Sequence, residues 1–157
     1  HLIERGRRRI AMVCGPQDMP AAVDRREGFE KELADAGIEP AWLSFGDFTL
    51  ASGERETSAL LDSGTSFDAL FASSDLMALG ALKKLEGQGV RVPEDVAVVG
   101  FDDIASAADD TISLTTVINP GRHLAELGAT MLLDLIAGRD VEQQVVLCPE
   151  LAVRSTT

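Results

Sequence analysis

The side chains with chemistry to offer fall in short clusters, each directly behind an apolar run. Gln17, Asp18 and the group Asp24-Arg25-Arg26 follow the run Arg9–Cys14, and Asp47 and Phe48 follow Ala41–Phe45. Ser73, Ser74 and Asp75 come after Asp68–Ala72, and Asp102 and Asp103 after Val96-Ala97-Val98-Val99-Gly100-Phe101. Carboxylates and a guanidinium can grip vicinal hydroxyls in pairs, while an aromatic ring covers the apolar face of a sugar. The set therefore suits a small polyhydroxylated ligand. Three members have a plainer alternative. Asp75 is equally suited to cap a helix, Asp103 to hold a turn, and Arg25 or Arg26 to sit solvated on a helix.

Catalytic patterns are sparse. The sequence has no G-x-S-x-G elbow, no phosphate-binding loop and no G-x-G-x-x-G. His1 and His123 fall outside the four clusters, so a serine–histidine–aspartate arrangement lacks its base. No cysteine and histidine spacing suggests a metal site, and no cofactor is expected. A phosphoryl-transfer pair at Asp102-Asp103 would want a lysine or a metal nearby, whereas Lys31, Lys83 and Lys84 all lie inside expected helices.

Val92–Asp103, VPEDVAVVGFDD, organises the rest. Its β-branched run without alternation reads as a strand buried on both faces of a parallel sheet, ended by Gly100 and Phe101. Aspartates just past the carboxyl end of such a strand stand where open α/β sheets bind ligands. Helices are expected over Ala22–Ala36, from an N-cap at Ser52 to Leu61, and from Ser73-Ser74-Asp75 through Leu85. Further strands are expected at Leu114–Ile118 and, as a hairpin-like pair, at Gln144–Leu147 and Leu151–Val153, with a helix between ending at Gly138. Strand and helix alternating in this way make an α/β fold, a doubly wound parallel sheet with helices on both faces.

The 157 residues carry 26 acidic against 14 basic side chains, a net charge of −12. That balance repels nucleic acid. The basic cluster Arg5, Arg7, Arg8 and Arg9 reads as a solvated connection. No apolar run approaches the ~20 residues of a membrane span, and nothing marks the chain for secretion. Cys14 and Cys148 are expected as reduced thiols.

Taken together, HLIERGRRRIAMVCG, DRREGF, GDF, FDALFASSDLMALGAL, GVRVPEDVAVVGFDD, LTTVINP and LAVRST resemble, in order, the effector-binding region of the lactose-repressor (LacI/GalR) family of bacterial transcription regulators. The resemblance implies a periplasmic-binding-protein-like lobe of type I. Residues 1–119 would form the C-terminal lobe, 120–143 a crossover helix against an N-terminal lobe that is not in this sequence, and 144–157 closing strands. It also implies a cytoplasmic, homodimeric regulator, not an enzyme, that meets DNA only through a headpiece absent here and binds a sugar-like effector. Arg25 would hold ligand hydroxyls or a carboxylate, Phe48 would stack, and Asp102 would accept from hydroxyls. Ser74 and Asp75 would complete the site, with Asn119 as a hinge-side polar residue. Ser74 replaces the family's usual asparagine and offers no paired donor and acceptor. Leu79 and Leu82 would lie in the dimer interface, with Ile104–Ile112 beside them, unless both pack on their own sheet. The stripe Leu124, Leu127, Met131 and Leu135 would lack its partner and be buried against a second copy or folded back onto the sheet. Alternatives to this reading are a periplasmic sugar-binding protein, or a hydrolase or phosphotransferase using Asp102.

Overall fold

The computed structural model describes residues 1–157. Strands β1 (Ile10–Cys14), β2 (Trp42–Phe45), β3 (Ala69–Ala72), β4 (Ala97–Asp102), β5 (Thr115–Ile118) and β6 (Glu150–Ala152) form one sheet in the order β2-β1-β3-β4-β5-β6. All neighbours are parallel except β5 and β6. Helices α1 (Pro20–Asp35), α2 (Leu50–Asp62), α3 (Asp75–Gly87) and α4 (Gly121–Ile136) connect them. The apolar runs are central because both faces are covered, and every residue of β1 is buried.

One face of the sheet packs Val13, Leu70 and Val98 against Leu60 of α2 and Met77, Ala78, Ala81 and Leu85 of α3. The opposite face places Ile10, Ala69 and Ala97 under Leu33 of α1, with Phe29 and Ile38 beside them. The two layers build a doubly wound sheet, as the alternation of elements implies. Between α2 and α3 the contact is unusually close. A Cβ on Gly53 would lie 2.1 Å from the Met77 carbonyl oxygen, and one on Gly80 would lie 2.2 Å from that of Leu50.

Several elements depart from expectation. The N-cap of α2 is Thr49, whose hydroxyl accepts from Ser52 N at 3.1 Å; Ser52 sits inside the first turn. Strand β4 does not stop at Gly100 and Phe101 but continues to Asp102, because β5 pairs with it up to Asp102↔Ile118. Residues 144–147 form no strand: β6 occupies the edge beyond β5, and no further strand is available to them.

The chain end is an integral part of the sheet. Thr156 exchanges hydrogen bonds with Val98, donating to its carbonyl at 2.7 Å while its own carbonyl accepts from Val98 N at 2.8 Å. Its hydroxyl also accepts from Thr115 N at 2.9 Å. Three basic residues near the start are likewise engaged at home, Arg5 with Thr157, Arg7 with Pro93 and Arg9 with Asp68 and Ser66. By contrast, α4 has no buried residue, and Leu132, Leu133, Leu135 and Ile136 are each more than half exposed.

Candidate functional site

Strand order reverses between β1 and β3, and the carboxyl ends of the strands there form the edge at which open α/β sheets bind ligands. Arg25, one turn into α1, reaches across it. One guanidinium nitrogen donates to the Ser73 carbonyl at 2.6 Å, and the other lies 3.7 Å from Asp102 Oδ1. Its Cζ stands 3.7 Å from the centroid of the Phe101 ring and 5.8 Å from that of Phe48. A cation held over aromatic faces is attracted by their quadrupoles, so the two rings and the carbonyl fix its direction. Burial lowers the Arg25 pKa and the Asp102 charge opposes that shift, leaving a guanidinium that is charged at neutral pH.

Asp102 Oδ1 also accepts from Asn119 Nδ2 at 3.2 Å. Arg25, Phe48, Asp102 and Asn119, expected from separate stretches, thus meet in one place. The backbone there is forced. Phe48, Asp102 and Asp103 have φ of 65°, 123° and 55°, conformations that cost non-glycine residues about 1–3 kcal/mol each and need support from their surroundings. Around Phe48 the support is Asp47, whose carboxylate accepts from Thr49 N at 3.1 Å and from its hydroxyl at 2.5 Å. These bonds hold the Asp47 pKa at about 2. The Phe48 ring lies flush against the β1 exit, since a Cβ on Gly15 would be 2.2 Å from it.

Ser74 and Asp75 occupy the same edge with their side chains turned inward. Ser74 is the N-cap of α3, its hydroxyl accepting from Met77 N at 3.3 Å. Asp75 follows the cap and is wholly buried, accepting from Ile104 N at 2.9 Å and from Thr116 Oγ1 at 2.5 Å. The N-cap alternative for Asp75 therefore falls to its neighbour, and Asp75 buttresses the cleft from behind. Gly100 makes room for it, because a Cβ there would meet Asp75 Oδ1 at 2.3 Å. Asp103, whose plainer alternative was a turn bond, pairs instead with Arg154 at 2.6 Å.

Phe101 is the residue that sequence reasoning missed. The signal lay in the alternation Ala97, Val99, Phe101, which points to the α1 face once β4 runs on to Asp102. Arg26 turns away from the cleft toward Gln17 and Glu30. No group of three or more histidine, cysteine, aspartate or glutamate side chains is placed to hold a metal ion.

A hollow of about 710 Å³ runs along α3 and is lined by Leu79, Leu82, Val90, Val92 and Ile112 among others. The side of α3 that carries Leu79 and Leu82 faces outward here. Leu76 is exposed, Leu79 and Leu82 are partly so, and the core face of α3 is Met77, Ala78, Ala81 and Leu85.

Against known proteins, the periplasmic binding protein-like domain matches residues 1–157. The HTH-type transcriptional regulator CelR of Thermobifida fusca is 45% identical over 158 residues, covering 99% of this chain and 46% of that protein. The HTH-type transcriptional repressor CytR of Escherichia coli is 35% identical over 161 residues, 100% of this chain and 47% of that protein. Among solved structures, the CelR–cellobiose complex superposes with a TM-score of 0.92 over 99% of this chain and 49% of that one, at 45% identity. The Lac repressor bound to ONPG in its repressed state gives 0.96 at 33% identity, over 100% of this chain and 48% of that one. The chain spans about half the length of these relatives. It belongs to the periplasmic binding protein-like domain family, alongside the transcriptional regulators of the lactose-repressor type.

Proposed function

We propose that this chain is the effector-binding and dimerisation lobe of a cytoplasmic, DNA-binding transcriptional regulator, and that its effector is a neutral sugar. The observation that carries the proposal is the polar chain Arg25–Asp102–Asn119 beside the Phe48 ring. Asp102 Oδ1 is engaged by its neighbours, while Oδ2 has no hydrogen bond from the chain and can accept from a ligand hydroxyl. Remaining guanidinium and amide hydrogens can donate to the next oxygen, which matches vicinal hydroxyls. Because Asp102 already balances the Arg25 charge, an uncharged polyol suits the cleft better than an anion. The relative CelR, solved with cellobiose, supports a sugar.

In this reading residues 1–119 and 144–157 form one lobe, and the segment 120–143 packs on a second lobe that closes over the effector. Closure shifts the population of DNA-competent arrangements in the attached headpieces. A second copy covers Leu79 and Leu82, whose outward stripe continues into Ile112. The function is sensing, not turnover, a reading supported by the transcriptional regulators the chain resembles.

Calorimetry of the intact regulator against cellobiose and a panel of mono- and disaccharides tests the proposal. Saturable binding of one sugar is expected. Binding of none, or turnover of the sugar during titration, would overturn it.

A further inference from the structure

Asp102 is aimed by a backbone that does not hold itself. Two consecutive non-glycine residues with positive φ, Asp102 and Asp103, end the central strand, and each needs an external restraint. Asp102 is paired with Ile118 of β5, and beyond that ladder two side chains from other elements hold the turn. Asp75, from below the sheet edge, accepts from Ile104 N at 2.9 Å. Arg154, two residues past β6, donates Nη2–H to Asp103 Oδ1 at 2.6 Å.

Arg154 is itself well anchored. Its Nη1 donates to the Leu114 carbonyl at 2.8 Å, and its backbone N–H donates to Thr115 Oγ1 at 2.8 Å. Thr115 Oγ1 is also within 3.2 Å of the Arg154 carbonyl. Those bonds fix the arginine to the start of β5, the strand whose far end leads to Asn119, the side chain bonded to Asp102. The pair is mostly shielded, with the two side chains only 20% and 25% exposed, so it is not the freely screened kind of surface bridge.

We propose that Arg154 is a positioning residue for the effector cleft: through Asp103 it clamps the 102–103 turn and so sets the direction of the Asp102 carboxylate toward Arg25 and Asn119. It touches no ligand. The inference rests on the reading of Asp102 as an effector contact, but its geometric part stands apart from any sugar. It also means that a segment reached only after α4, just past β6, governs the aim of a carboxylate on β4.

The test needs no ligand. In isotope-labelled chain, the Asn119 side-chain amide and the Ile104 backbone amide report the Asp102 turn on its two sides. Arg154→Gln and Asp103→Asn are each expected to move the Asn119 Nδ2 proton resonances toward free-amide positions. The double variant should shift them no further than either single one, since the two groups act as one unit. Arg154→Lys, which keeps the charge but not the fork, should recover only part of the shift. Trp42, on the far edge strand, serves as a control for general unfolding and should keep its emission. Unchanged Asn119 resonances with Trp42 intact would overturn the proposal, as would additive shifts in the double variant. If Arg154→Gln unfolds the chain, Asp103→Asn alone decides between the same two outcomes. Failure of the regulator to bind any sugar would instead sink the functional reading and leave these resonances unaffected.

Discussion

Asp75 has its carboxylate sealed under the cleft between Ile104 N and Thr116 Oγ1. Burial pushes its pKa above the ordinary carboxyl range, against the two hydrogen bonds that favour the charged form. A carboxyl whose folded pKa is raised stabilises the fold fully below the unfolded value of about 4, and that contribution is lost as pH climbs through the folded value. Asp47 and Asp95 run the other way: held at about 2, they stabilise above the unfolded value and lose this as pH falls. Comparing wild type with Asp75→Asn cancels their effect. The variant's unfolding midpoint, measured by circular dichroism, is expected to improve relative to wild type as pH rises from about 4; a constant offset would show that Asp75 titrates alike in both states. At the cleft itself, Asp102→Ala in the intact regulator should weaken sugar binding by ~1.5–3 kcal/mol, the range for a lost charge-assisted hydrogen bond. Unchanged affinity in calorimetry would remove Asp102 from the site.

Leu76, Leu79, Leu82 and Leu85 of α3 recur three apart, with Leu79 and Leu82 expected at a dimer interface unless they pack on their own sheet. Leu85 is buried, Leu79 and Leu82 are partly covered and Leu76 is exposed. Helix α2 comes close: Gly53 and Gly80 let the two backbones nearly touch. Met77, Ala78, Ala81 and Leu85 are the residues of α3 in the core, and the other leucines lie on its outer side. Gly53→Ala or Gly80→Ala would put a methyl about 2 Å from a carbonyl oxygen. Each is expected to cost about 1–3 kcal/mol in urea unfolding, toward the upper end because backbone must yield. The outward leucines make the complementary prediction: Leu79→Glu should leave the unfolding midpoint nearly unchanged while halving the mass of the regulator in sedimentation. An undiminished mass would return the stripe to the lobe's own packing.

For the whole molecule, α4 is the element without a place. None of its residues is buried, so it does not fold back into the core; Leu127 and Met131 are only partly covered. At ~25 cal/mol per Å², leaving Leu132, Leu133, Leu135 and Ile136 in water forgoes several kcal/mol, comparable to a domain's net stability. The chain by itself is therefore expected to bind a hydrophobic dye such as anilinonaphthalene sulfonate in the folded state, and the double variant Leu132→Glu, Leu135→Glu to lose most of that signal. Equal fluorescence from both proteins would place the apolar surface elsewhere. No helix of the chain is long and apolar enough to cross a membrane.

The alternation of strands and helices through β5, the buried β4 and the placing of Phe48 and Asp102 at one edge were legible before any coordinates. The family resemblance added Arg25 and Asn119, whereas the strand expected at 144–147 did not form. Buried parallel strands must be continuous apolar runs, and a parallel sheet sends every strand-to-helix loop to one edge. Side-chain direction was not legible. Whether Asp75 faces ligand or core, whether Phe101 ends a strand or supports an arginine, and which face of α3 is inside depend on contacts across long sequence separations. The bonds of Asp75 to Thr116, Arg25 to Ser73 and Arg154 to Asp103 span 41, 48 and 51 residues. No local periodicity encodes such pairs. They exist only once the sheet has brought β3, β4 and β5 side by side and the chain end has returned to lock them.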